Sequence, residues 1–276
     1  MSKKSRKAGY FMAKNLPGVY VITQKNGRKS YRASITYRNK HISLGSYLSS
    51  EKAHQAYLAA RNLLEDSTLS LTDYSQSSPL PFEKWVCLLN FRDNGIYIAT
   101  PVYIRPKFFY YYFSPVIFFI FDSEDLFYYS SHKISVRGGH YYVADYGMQL
   151  NIMNRYGIKN YAVESVDYRF INGNNRDFRY ANIEIINRYY GVRKIISKQQ
   201  TCYEVKIHIK GNVKVGVYQT ETEAAIAYNK AIDLLKKAGI DRQYTPNYVE
   251  SISPAVYADI YSSVKISPKL MSYRSK

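Results

Sequence analysis

Apolar and polar residues alternate with period two along Tyr31, Ala33, Ile35 and Tyr37, with Arg32, Ser34, Thr36 and Arg38 in the intervening places. That pattern predicts a half-buried strand. The chain then returns through His41, Ile42, Ser43 and Leu44, again alternating. The same arrangement recurs near the C-terminus: Tyr203, Val205, Ile207 and Ile209 fall on one face, and Glu204, Lys206, His208 and Lys210 on the other, joined by Asn212 and Lys214. After each returning strand the period changes to that of a helix. Ala53, Ala56, Tyr57 and Ala60, and later Ala224, Ala225, Tyr228 and Ala231, follow the spacing of one helix face. Ser49 and Ser50 give the first helix, over 51–64, its start signal.

These stretches are two copies of one pattern of about 45 residues, Gly18 to Leu64 and Gly191 to Leu235. Each copy opens on Gly-Val, places a glycine (Gly45 or Gly216) on its last strand, and ends in an alanine-rich helix. Two copies are too few for a solenoid, so the pattern predicts two separate small modules. Each is a three-stranded antiparallel sheet covered on its apolar face by one helix, leaving the other face polar. The expected fold class is α+β.

Between the copies, the polar run Asp66 to Pro81 has little periodicity and predicts a linker. Residues 82–187 alternate short apolar runs with Gly, Asn and Asp turns, which predicts an antiparallel β region with a short helix near its end. The apolar run Phe108 to Phe121 spans 14 residues and contains Pro115. It is too short to cross a bilayer and predicts a buried strand pair. The expected segments are 1–65, the linker 66–81, the central region 82–187, the second module 188–237 and a tail 238–276, in which Ser253-Pro254 starts a helix reaching Val264.

Charge sharpens the picture. The formal net charge is +18, and it is unevenly spread. Residues 1–78 hold 13 Lys/Arg against 4 Asp/Glu, residues 188–276 hold 15 against 7, and residues 79–187 hold 11 against 10. The excess therefore sits on the two modules, as a nucleic-acid footprint requires. A three-stranded polar sheet face suits the major groove of duplex DNA. The expected partner is double-stranded DNA, with neither a membrane nor a small-molecule substrate indicated. The two cysteines, Cys87 and Cys202, have no metal-type spacing, which predicts reduced core thiols. The basic run Met1 to Lys7 is not followed by an apolar segment of the secretory type. The expected setting is cytoplasmic or nucleoid-associated, bacterial or phage-like.

The C-terminal copy, with YYGVRK (Tyr189 to Lys194), YEVKI and VGVYQTETEAAIAYNKA (Val215 to Ala231), resembles the Apetala/ethylene-response-factor DNA-binding domain. The N-terminal copy carries the same signature more faintly as GVY, YRASI and LGSYLSSEKAHQAYLAA. In that family the outward strand positions contact DNA. The resemblance implies contacts from Arg193, Ser197, Lys206, His208 and Lys214 in one copy, and from Tyr20, Gln24, Ser34, Thr36, His41 and Ser43 in the other. Lys194 and Lys210, and Arg32 and Arg38, extend the two basic faces. The family's base-reading arginines and tryptophans are mostly missing.

The segment Gly157 to Asn187 resembles the core of an HNH homing endonuclease, a family that commonly carries an Apetala-type domain just after its nuclease core. Such a site holds one divalent metal, and a histidine activates water. Asp167 and Asn182 match the metal-binding Asp and late Asn, and Asp177 with Arg179 match the step between them. Tyr168 stands where the general-base histidine belongs if two residues are inserted before Ile171-Asn172-Gly173. With the gap placed earlier, Arg169 and Phe170 occupy the Asp-His pair instead. Neutral tyrosine is a poor base at pH 7. The resemblance therefore implies a DNA-binding protein that needs no cofactor, its nuclease motif degenerate and its metal ligands vestigial. Two alternatives stay open. One is an active nicking endonuclease that uses Mg2+, with His132 or His140 as its base. The other is an RNA-binding or structural interaction protein.

Overall fold

The computed structural model describes residues 11–12, 16–23, 27–240 and 242–273. The fold is α+β, built from several small antiparallel sheets and, among the described residues, six α-helices. The chain divides into two compact units: Met1–Arg137 with Val143–Gln149 and Asn175–Arg179, and Gly138–Tyr142 with Leu150–Asn174 and Tyr180–Lys276.

The first unit begins with a sheet in the order β1 (Phe11–Met12), β2 (Val19–Thr23), β3 (Lys29–Tyr37) and β4 (Lys40–Tyr47). Helix α1 (Ser50–Glu65) follows, its Ser49 cap accepting a hydrogen bond from the Lys52 amide. The alanine stripe works as the period implied. Ala53, Ala56 and Ala60 are fully buried against Val19, Ala33, Ile42 and Leu44, because side chains this small let the helix lie close to the sheet.

A second helix, α2 (Phe82–Asn94), occupies a stretch that the sequence assigned to β structure. Every residue from Trp85 to Phe91 is buried, so this helix has no polar face and no amphipathic period by which to recognise it. Its packing also fastens residues 66–81, which are not a free linker. Arg92 donates to the carbonyls of Leu63, Asp66 and Leu69 at 3.0, 2.6 and 2.8 Å. Trp85 Nε1 donates to Ser70 O at 3.1 Å, and Leu80 is buried.

The aromatic run forms the expected strand pair, in a sheet of order β5 (Val102–Ile104), β6 (Phe108–Ser114) and β7 (Ile117–Asp122). Phe109, Tyr111, Phe119 and Phe121 form its buried face. Helix α3 (Leu126–Ser131) follows. Residues 134–151 then make a small sheet of order β10 (Met148–Asn151), β9 (His140–Asp145) and β8 (Ile134–Arg137).

The second unit contains the ladder of β11 (Tyr168–Phe170) with β12 (Ile183–Ile185), then the sheet of β13 (Val192–Ser197), β14 (Gln200–His208) and β15 (Asn212–Tyr218). Helix α4 (Glu221–Lys237) covers that sheet and is opened by a capping box between Thr220 and Glu223. The tail adds α5 (Pro254–Ser263), capped by Ser253 as the sequence indicated, and α6 (Pro268–Met271). Asn247 holds the tail down: it exchanges hydrogen bonds with the backbone of Tyr190 at 2.7 and 3.0 Å, and with Asn229 at 2.7 and 2.8 Å.

The two repeats agree position by position. Val19, Ala33 and Gly45 pair across one sheet as Val192, Val205 and Gly216 pair across the other. Both sheets carry a bulge at the same point, between Ala33 and Ser34 and between Val205 and Lys206. The Ser34 amide donates to Gly18 O and the Lys206 amide to Gly191 O, each at 2.9 Å. Gly18 and Gly191 have φ of +75° and +71°, and each lies directly against the ring of the helix tyrosine, Tyr57 or Tyr228. The recurring Gly-Val opening and the recurring tyrosine are thus the two halves of one contact.

Candidate nucleic-acid interface

In a strand, alternate side chains face opposite ways, and directly paired residues of an antiparallel ladder face the same way. Applied to the C-terminal repeat, the register sets Arg193 beside Glu204 and Val217, Lys206 beside Lys214, and His208 beside Asn212. All lie on the face opposite α4, whose own side buries Val205, Ile207 and Val215. Lys206, His208 and Lys214 are exposed. His208 Nδ1 is 3.0 Å from Asn212 Oδ1, which fixes the ring across the hairpin. Ser197 ends β13 opposite Gln200, and Lys210 lies in the turn between β14 and β15.

The basic face has an acidic centre. Glu204 lies 2.7 Å from Lys206 Nζ and 3.4 Å from Lys214 Nζ. Its hydrogen bond to Lys206, reinforced by the charges of both lysines, holds this carboxyl below the usual glutamate range. Period-two reading put Glu204 on this face but gave no sign that it bridges two lysines.

Lys194 does not join them. It pairs with Tyr203, and Tyr203 with Tyr218, so Lys194 falls on the helix-side parity of its edge strand.

In the N-terminal repeat, the register gathers Tyr20, Arg32, Ser34, Thr36, His41 and Ser43 on the face away from α1. Arg32 Nε donates to Ser43 Oγ at 3.2 Å, and Thr36 Oγ1 is 3.3 Å from His41 Nδ1. Ser34 departs from the expectation of a solvated face: it is 3 % exposed. Arg38 departs further. With Asn39 it forms the turn between β3 and β4, both at positive φ. Its guanidinium donates to Phe91 O at the C-terminal end of α2 and lies 5.1 Å from the Tyr37 ring centre. The strand alternation had been carried one residue too far, into a turn that redirects the side chain. Gln24 lies outside the described residues.

The nuclease-like residues serve the backbone. Asp167 Oδ2 accepts from the Val163 amide at 2.9 Å, and Oδ1 faces Lys159 Nζ at 3.7 Å. Burial lowers the Lys159 pKa, and Asp167 opposes that shift. Asn182 Oδ1 accepts from the Asn172 amide at 2.8 Å and so braces the turn around Gly173. Asp177, on a segment of the other unit, forms a two-point pair with Arg179 at 2.6 and 2.8 Å.

Asp167 and Asn182 also sit at opposite ends of the β11–β12 ladder. Asp167 O receives the Ile186 amide, whereas Asn182 O receives that of Ile171. Four residues of extended chain separate the two points by roughly 13 Å. One divalent cation needs its ligands within about 2–2.6 Å of itself, so these residues do not fit a shared metal. Phe170, not Tyr168, pairs beside Asn182, opposite Ile183. Arg169 is itself paired with Glu184 at 2.6 Å.

Tyr168 is further handicapped as a base, because burial first, then Glu164 and Asp167, raise its pKa. His132 has its ring nitrogens at Tyr128 O (2.9 Å) and Asp145 (3.4 Å), and it stacks on the Tyr128 ring. His140 is exposed at the start of β9. No group of three or more His, Cys, Asp or Glu suited to a metal occurs among the described residues.

Comparison of the chain with family models, with curated proteins and with solved structures gives no match in any of the three. Among the described residues, no helix is long and apolar enough to cross a membrane.

Proposed function

We propose that this chain is a non-catalytic protein that binds double-stranded DNA through the outer faces of its two repeats, acting on transcription or on a mobile element. In this reading the repeats are Apetala-like modules on either side of a degenerate HNH centre, the ββα-metal architecture without its chemistry. The observation that carries the proposal is the cluster of Arg193, Lys206, His208 and Lys214 in register on one exposed sheet face, opposite the helix. Three strands span about 10 Å, which suits a major groove about 12 Å wide. The cations neutralise phosphates, and the shorter polar side chains reach base edges.

Fluorescence anisotropy on a labelled duplex tests the reading. The Lys206→Ala/Lys214→Ala double variant should bind more weakly, with the slope of log affinity against log salt flatter by about 2. Asp167→Asn should bind as the unaltered chain does. Equal losses from both variants would remove the division of labour proposed here. Nicking of supercoiled plasmid with Mg2+ or Mn2+ would favour the endonuclease reading instead.

A further inference from the structure

The sheet of β5, β6 and β7 is aromatic on both of its faces. An antiparallel sheet at a surface ordinarily alternates apolar residues inward with polar residues outward, as β3 and β14 do. Here the inward face of Phe109, Tyr111, Phe119 and Phe121 is at most 3 % exposed. On the opposite face the register sets Tyr103, Tyr110 and Ile120 in one row and Tyr112 beside Phe118 in the next, and Phe108 precedes Tyr110 by two residues. Of these, Tyr103, Phe108, Tyr110, Phe118 and Ile120 are only half-buried. A core face would be closed and a solvent face would be polar. This one is neither.

The rings hold one another edge to face. Tyr110 meets Phe108 at 5.2 Å and 82°, and Phe118 at 5.1 Å and 79°. Phe82 of α2 lies 5.9 Å from Tyr112. Rings locked in this way lose little freedom when a flat ligand settles on them. Guanidinium groups extend the same surface. Arg105 is exposed and stands 4.9 Å from the Tyr103 ring centre and 5.9 Å from that of Tyr110. Arg179, held by Asp177, lies 5.6 Å from the Phe108 ring centre. Lys107 is exposed in the loop that carries Arg105 from β5 to β6. Unpaired nucleobases stack on aromatic rings and on arginine planes, and a neighbouring cation takes the phosphate. Charge favours that occupant over a second copy of the chain, which would bring the same net +18 to the face.

We propose that the outer face of the β5–β6–β7 sheet binds a single-stranded nucleic acid, with unpaired bases stacked on Tyr110 and on the Arg105 plane and a phosphate at Lys107. The site uses residues of the first unit alone, and none of them belongs to a repeat. It therefore goes beyond the duplex reading and stands or falls apart from it. DNA and RNA share the chemistry that this face recognises.

The test uses the full chain, with labelled single strands of DNA and RNA of one sequence and the matching DNA duplex as probes. Anisotropy reads affinity, and amide shifts locate the strand. Shifts should fall on residues 108–112 and 117–120. With one or two phosphates contacted, the slope of log affinity against log salt should be no steeper than about −1.4. Tyr110→Leu keeps an apolar side chain and removes the ring. It should weaken single-strand binding by at least about fivefold and leave duplex binding unchanged. Arg105→Lys, at an exposed position, keeps the charge and loses the plane, so it should also weaken the single strand. Loss on the DNA strand, the RNA strand or both identifies the natural ligand. If both variants bind single strands as tightly as the unaltered chain, the proposal is overturned. Single strands that shift only the outer faces of the repeats would overturn it too. Sedimentation showing a dimer that Tyr110→Leu dissolves would assign the face to a second copy and end the proposal.

Discussion

Replacing Gly18 by alanine tests whether the repeat is held together by a glycine-tyrosine contact. At φ +75° a side chain costs about 1–2 kcal/mol in backbone strain alone. The new Cβ would also lie 2.1 to 2.8 Å from three ring atoms of Tyr57, and one of these, Cγ at 2.4 Å, cannot be avoided by a small tilt of the ring tip. Overpacking of this kind adds about 1–3 kcal/mol, so the total is about 2–5 kcal/mol. The chain has a single tryptophan, Trp85, buried in the same core cluster, and its fluorescence reports unfolding of this unit in urea. With a urea slope of about 1–3 kcal/mol/M, the midpoint should fall by on the order of 1–2 M. Gly27→Ala separates the two contributions: its φ is +77°, but nothing lies within 4 Å of its Cβ position. It should show the strain without the clash. If Gly18→Ala costs less than about 0.5 kcal/mol, or no more than Gly27→Ala, the contact does not organise the repeat.

Other consequences follow from the same geometry. Glu204→Gln should tighten duplex binding and steepen its salt dependence, since it releases Lys206 and Lys214 from their internal counter-charge; weaker binding would mean that Glu204 positions the lysines productively. Asn247→Ala should leave the Tyr190 backbone N–H and C=O without their side-chain partner, while the bonds of Asn229 to the backbone of residue 247 persist. It should cost about 2–4 kcal/mol and speed deuterium exchange over the tail, and unchanged exchange there would count against the latch. Burial pushes the Cys87 thiol up to about 11. At pH 8 it stays protonated, so Ellman's reagent should modify it only after urea unfolds the chain; rapid labelling of the folded chain would contradict the buried assignment.

The sequence was most readable where burial is one-sided. Period two exposed β3 and β14, and the alanine spacing exposed α1, because each presents one face to a core and one to solvent; the same spacing marked α4, although that helix is buried over six successive residues, Ala224 to Asn229. It failed where that asymmetry is missing. Helix α2 is buried from Trp85 to Phe91 and so carries no stripe. Turn geometry is the second blind spot: Arg38 continues the alternation in the text of the chain, yet its positive φ turns it away from the strand face. Pairing register is the third. Nothing in the order of residues shows that Asp167 and Asn182 stand at opposite ends of a ladder, or that the bulge at Ala33 and Ser34 accompanies a buried, unpartnered hydroxyl. Composition flagged the basic faces correctly as regions but could not reveal Glu204 sitting between their lysines.

The account depends on which side of the C-terminal sheet meets DNA, and amide chemical-shift mapping during titration with a short duplex reads that side directly. Shifts should concentrate at Arg193, Lys206, His208 and Lys214 and fade as salt is raised. Shifts centred on α4, or no shifts at low salt, would contradict it.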